Sequence, residues 1–185
     1  MNSRFRPLML LSTTAGLVAI VATIASALTV AAISLDQLTN DSDLIVHGTV
    51  LSSHSTWEDQ SIYTYTTIRV TETLKGPSET EIVVKQLGGA VGDTRAEIDG
   101  SPVLNPGDEL VLFLRDWQES YWIHSIVLGK FSVLRENGVP MAVSDLNNVG
   151  LVDPATGLEI TDPTVKRNAI ELSAFFSAIR SFDQQ

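Results

Sequence analysis

Through the middle of the chain, apolar side chains recur two residues apart; toward its ends they recur three and four apart. Ile62, Ile68, Val70 and Leu74 share one parity, with Thr64 and Thr66 between them, while Tyr63 and Tyr65 fall on the other. That alternation predicts a strand, and the aromatic residues on the opposite parity imply that both faces are partly covered or that a bulge switches the face. Leu44 to Trp57 is rich in β-branched residues and predicts a second long strand, joined to the first by a short charged turn. A long, bent hairpin covered on both sides suits a small closed barrel, where it supplies two of the walls.

Further along, "EIVVKQL" (81–87) predicts a third strand, and the stretch from Gly88 to Asp108 reads as one long loop. "ELVLFLR" is an unbroken apolar run of buried-strand length, and "YWIHSIVLG" resumes the alternation across "DWQES". Asn137-Gly138 separates two strand-like runs and predicts a tight type I′ turn. Ser34 is placed to cap a short helix leading into the domain. Near the other end, Asp162 as N-cap and Pro163 at the first helical position predict a helix over 163–182. Val165, Ala169, Leu172, Phe176 and Ile179 would form the apolar face that docks it on the barrel. The fold expected is therefore mainly β: a small closed OB-fold-like β-barrel with a short helix leading in and a C-terminal packing helix.

The first residues change the compartment. Arg4 and Arg6 precede an apolar stretch with no further charge until Asp36, and small residues close it at Ala25-Ser26-Ala27 and again at Val30-Ala31-Ala32. This is the pattern of a signal peptide over residues 1–32, cut after Ala27 or Ala32. Its length also suits a retained membrane anchor, since a spanning helix needs about 20 residues. Residues 33–185 then form a single domain, secreted or periplasmic, or membrane-anchored if the leader stays. The formal charge of −10 argues against nucleic acid and anionic lipid as partners. With no cysteine, the fold has neither disulfides nor a thiol site.

Groups for catalysis are sparse. The three histidines are His47, His54 and His124, and neither H-E-x-x-H nor G-x-S-x-G occurs. Gly88-Gly89-Ala90-Val91-Gly92 follows a strand, yet no Lys-Ser or Lys-Thr and no helical pattern come after it, so the run does not read as a phosphate cradle. Asp145 and Asn147 resemble half of a calcium loop, but Val149 and Thr156 stand where oxygen ligands are required. No metal and no cofactor is expected. The long loop is instead the first candidate binding edge, through Gly88, Gly89, Gly92, Thr94, Arg95, Glu97 and Asp99. The second is the hairpin turn at Trp57, Glu58 and Asp59.

"SDLIVHGTVLS", "YTYTTIRVTETLKGP", "GGAVGD", "LNPGDELVLFLR" and "GKFSV" resemble secreted bacterial proteins whose core is similar to the netrin and tissue-inhibitor-of-metalloproteinases version of the OB-fold. The resemblance runs from about Ser34 to Val143 plus the terminal helix. It implies an OB-type barrel and, as a functional alternative, an inhibitor or escort of a secreted metalloprotease. Inhibitors of that superfamily place the amine and carbonyl of an N-terminal cysteine on the protease zinc; here the new N-terminus would be Leu28 or Ile33. The leading expectation is an exported, non-enzymatic binding module whose partner is another exported protein, a protease among the options. An enzyme using His47 or His124 is a third class, for which no matched acid–base or nucleophile pair is visible.

Overall fold

The computed structural model describes residues 29–146 and 149–183. The expected leader or anchor helix lies, over residues 1–28, outside the described residues. In chain order the elements begin with strand β1 (Thr29–Ala31), helix α1 (Leu35–Asp41) and the long strands β2 (Leu44–Glu58) and β3 (Ser61–Lys75). Next come β4 (Glu81–Leu87), β5 (Gly89–Val91), β6 (Thr94–Ala96), β7 (Glu109–Trp117), β8 (Ser120–Ile123) and a 3-10 turn at Ile126–Gly129. The remainder is β9 (Lys130–Glu136), β10 (Val139–Asp145), β11 (Gly150–Val152), α2 (Pro163–Lys166), β12 (Arg167–Glu171) and α3 (Leu172–Phe182).

The molecule is mainly β, with one large sheet in the order β12-β10-β9-β7-β2-β3-β4-β8 and short helices packed on it. β8 pairs antiparallel with β7 and parallel with β4 through Val84↔Tyr121. The succession β7-β2-β3-β4-β8 therefore returns to its own start. Three register shifts, at Ile45/Val46, His47/Gly48 and Val50/Ser52, bend the long hairpin. Gly48 sits at one of them because its backbone meets β3 too closely for a side chain: an added Cβ would lie 2.5 Å from Arg69 O.

Both faces are covered over the first half of β2 and over β7 as far as Leu114, which explains the unbroken apolar run of "ELVLFLR". Val111 and Phe113 point to a core shared with Ile45, Phe131, Leu172, Phe175 and Ile179 beneath the helices. Leu110, Leu112 and Leu114 point the other way, to Leu44, Val46, Ile68, Ile82 and Val84 inside the returning succession of strands. A third cluster joins Leu128, Leu146, Val149 and Leu151 to Val30, Ala32 and Ile33 near the start of the described chain.

The turns follow the chemistry read from sequence. Asn137 (φ 50°) and Gly138 (φ 85°) both take the left-handed conformation that the β9–β10 turn requires. Ser34 Oγ accepts from the Gln37 N–H at 3.1 Å, and Asp162 Oδ1 accepts from the Thr164 N–H at 2.8 Å, so both caps form. The helix expected over 163–182 is corrected by the structure. One turn follows Asp162, then Arg167–Glu171 pairs with Met141–Asp145 as β12, and the helix proper starts only at Leu172. Pairing with the outer edge of β10 outweighs the modest helical preference of "RNAIE". The buried face becomes Leu172, Phe175 and Ile179, Phe176 is only partly buried, and Val165 is exposed. The stretch Gly88 to Asp108 is likewise not all loop, since β5 and β6 form a small hairpin within it.

Candidate functional site

Beyond the apolar core, the inward parity of the hairpin turns polar. Ser53 faces Thr66 and Ser55 faces Thr64 across the β2–β3 pair, and Gln86 of β4 stands beside Thr64. The Ser53 and Thr66 hydroxyls lie 3.1 Å apart and those of Ser55 and Thr64 2.9 Å apart, while the Thr64 hydroxyl donates to Gly88 O at 2.7 Å. Thr66 is fully buried. Its burial is tolerated because the Ser53 hydroxyl satisfies it, and with the partly buried Ser55 and Thr64 it makes a hydrogen-bonded floor.

The segment from Gly88 to Leu104 crosses over this floor as a strap. Gly89 lies so close that an added Cβ would be 2.3 Å from both Ser55 Oγ and Thr64 Oγ1, and its φ of 131° also suits glycine. The Ala90 N–H donates to Ser55 Oγ at 3.3 Å. On the return, the Gln86 amide donates to Ser101 Oγ at 3.1 Å and to Pro102 O at 2.9 Å, and Leu104 is buried against the inner core. The Gly107 N–H to Val50 O bond, 2.9 Å, ties the far end back to β2. Between strap and floor an open groove of about 520 Å³ remains. Ser53, Thr64, Thr66 and Gln86 form its base, and Ile98, Val103 and Leu104 contribute apolar wall.

Of the loop residues picked from sequence, Gly88, Gly89, Arg95, Glu97 and Asp99 line this groove. Gly92 and Thr94 do not: Gly92 lies in the β5–β6 turn and Thr94 opens β6, both outside its lining. Arg95 and Glu97 face each other at 3.4 Å near the mouth, both largely exposed. The turn residues Trp57, Glu58 and Asp59 also lie outside the lining. Trp57 shares the parity of Ser53 and Ser55 but stands farther along toward the hairpin tip, half exposed, and Asp59 (φ 52°) makes the turn.

Glu58 is already engaged on the opposite face. Its carboxylate meets Lys85 Nζ at 2.5 Å and accepts from the Tyr65 hydroxyl. Those bonds hold the Glu58 carboxyl below its ordinary range and Lys85 above its own. Lys85 Nζ also lies 4.3 Å from the Tyr63 ring centroid and 5.8 Å from that of Trp122. Trp117 packs edge-on to Trp122 at 5.6 Å and His54 stacks on Tyr65 at 5.6 Å. The aromatic residues on the outward parity therefore surround a resident lysine.

The other two histidines are set in structural surroundings. His47 is buried, its Nε2 lies 2.9 Å from Glu109 Oε1, and the Phe176 ring covers it at 5.3 Å. Glu109 in turn reaches Arg135 at 3.7 Å. His124 has its basicity lowered chiefly by burial and further by the Arg115 guanidinium, which favours the neutral ring. Among the described residues, no three His, Asp or Glu side chains come together as a metal site would require. The same residues include no helix long and apolar enough to cross a membrane.

Lys85, Gln86, Ser53 and the Ser101-Pro102 anchor were not among the residues singled out from sequence. A signal for them existed: Thr64, Thr66 and Gln86 are polar residues beside Ile62, Ile68, Ile82 and Val84 on the same parity. No family model, curated protein or solved structure matches this chain.

Proposed function

We propose that the chain is an exported, non-enzymatic binding module built on a closed OB-type barrel, and that it takes an extended segment of another exported protein into the groove beneath the 88–104 strap. The returning succession β7-β2-β3-β4-β8 supports the barrel reading, since five strands are what an OB-type barrel uses. The binding reading is carried by the groove itself. Its volume falls within the range of ligand sites, and its polar floor is fixed in place before any ligand arrives. Hydroxyl and amide groups beside apolar wall suit a polypeptide, which offers backbone donors and acceptors together with apolar side chains. Glu97 and Asp99 outnumber Arg95 at the mouth, so a polyanion is disfavoured.

The absence of cysteine permits a position-specific test, because one introduced thiol is unique in the chain. A photo-crosslinker attached to Asp99→Cys at the groove, and in parallel to Glu136→Cys in the β9–β10 hairpin, is activated in envelope and medium fractions. A discrete adduct with one protein is expected from position 99 alone, and its yield should fall when Thr64→Val removes a hydroxyl from the floor. Equal adducts from both positions, or yields indifferent to Thr64→Val, would overturn the assignment.

A further inference from the structure

Of the two candidate peptidase motifs, Ala25-Ser26-Ala27 precedes the strand Thr29–Ala31 and Val30-Ala31-Ala32 overlaps it. Thr29, Val30 and Ala31 pair in parallel with Gly150, Leu151 and Val152, and the Ala32 N–H donates to Val152 O at 2.8 Å. The alternation of exposed and partly buried residues from Thr29 to Ala32 is that of a strand with one face on the domain. Val30, Ala32 and Ile33 lie against the buried side chains of Leu128, Leu146, Val149 and Leu151. Cutting after Ala32 would take β1 from the edge of β11 and strip two side chains from this cluster. Cutting after Ala27 leaves every one of those contacts in place.

From this we infer that the leader ends at Ala27 and that the mature domain begins at Leu28, with β1 as its first strand. The inference rests on the export reading and adds the processing site to it. Water, delivered by the membrane-bound signal peptidase, adds across the Ala27–Leu28 peptide bond; Ala27 leaves as a carboxylate and Leu28 gains a free amine. In sequence that amine is one residue before Thr29, the first residue paired with β11. None of the residues of β1 or β11 lines the 520 Å³ groove, so the new N-terminus and the proposed ligand site are separate places on the domain.

The test uses the full chain, leader included, produced in an exporting bacterial host, with the exported product read by intact mass and N-terminal sequencing. A product beginning at Leu28 is expected, and Ala27→Tyr should accumulate uncut chain because the peptidase requires a small residue there. A product beginning at Ile33 overturns the inference while leaving export intact. Uncut wild-type chain overturns the cleaved-leader reading and the inference with it. As a second variant, Val30→Asp disrupts the later motif and the β1 face together. It should still be cut after Ala27 but melt lower by about 5 °C, and an unchanged midpoint would show that β1 is no part of the domain.

Discussion

Replacing Gly89 by alanine tests how rigidly the strap is fitted to the floor. The new methyl would fall 2.3 Å from Ser55 Oγ and Thr64 Oγ1, well inside contact distance, at a φ of 131° that L-residues avoid. Backbone strain of this kind costs about 1–3 kcal/mol. Separating the two hydroxyls, 2.9 Å apart, forfeits a hydrogen bond of about 1 kcal/mol. The strap can relieve both by lifting while the strands beneath stay paired, so the penalty falls on a local opening. About 2–4 kcal/mol corresponds to roughly 30- to 700-fold faster amide exchange across residues 88–104, with every 1.4 kcal/mol worth a factor of ten. Gly92→Ala is the matched control: its φ is also positive, at 58°, but nothing lies within 4 Å of an added Cβ. Hydrogen–deuterium exchange by mass spectrometry on both variants separates the steric cost from the conformational one. If 88–104 in Gly89→Ala exchanges no faster than in Gly92→Ala, the close fit of strap to floor is refuted.

Phe175→Ala should destabilise the protein by about 3–5 kcal/mol in urea unfolding, because that ring is fully buried between Phe113 and Phe131. Phe176→Ala should cost clearly less, and the reverse order would restore the helix face expected from sequence. The Glu58–Lys85 pair should make stability depend on acid: the Glu58 carboxyl is depressed in the folded state, so its contribution holds above the ordinary glutamate range and disappears as pH falls through the lowered folded value. The stability gap between wild type and Lys85→Met should thus narrow on acidification from pH 6 toward 3, and a constant gap would refute the pairing. His124 should titrate, by NMR, below the ordinary histidine midpoint of 6.5. The unfolded chain takes up that proton more readily, so His124 should erode stability as pH falls through 6.5; a midpoint at or above this value would contradict its burial.

The parts of this fold that local chemistry specifies were legible in the sequence. The alternation in β3, the Asn137-Gly138 turn and the Ser34 and Asp162 caps each depend on residues a few positions apart. What stayed hidden depends on distant partners. "RNAIE" becomes a strand only because the edge of β10 lies beside it, and "TVA" pairs with a segment near the other end of the chain. The site divides in the same way. A glycine-rich loop marked the strap, whereas the floor is recognisable only once Thr64, Thr66 and Gln86 are seen to break an apolar parity on neighbouring strands. Glu58 read as part of a candidate binding turn because Lys85, its partner, lies across the sheet on β4.

The pairing of β1 with β11 also sets an order of events in time. On the export reading the chain enters the compartment from its N-terminal side, and Thr29 waits there for Gly150, which emerges much later. The β2–β3 hairpin, whose strands are neighbours in sequence, can form long before then. Through that interval Thr29–Ala31 has no β11 edge to pair with, which on the same reading leaves time for the peptidase to act. Once β11 arrives, β1 pairs with it and Val30 closes against Leu151, so processing and this late step of folding would follow one another by topology alone.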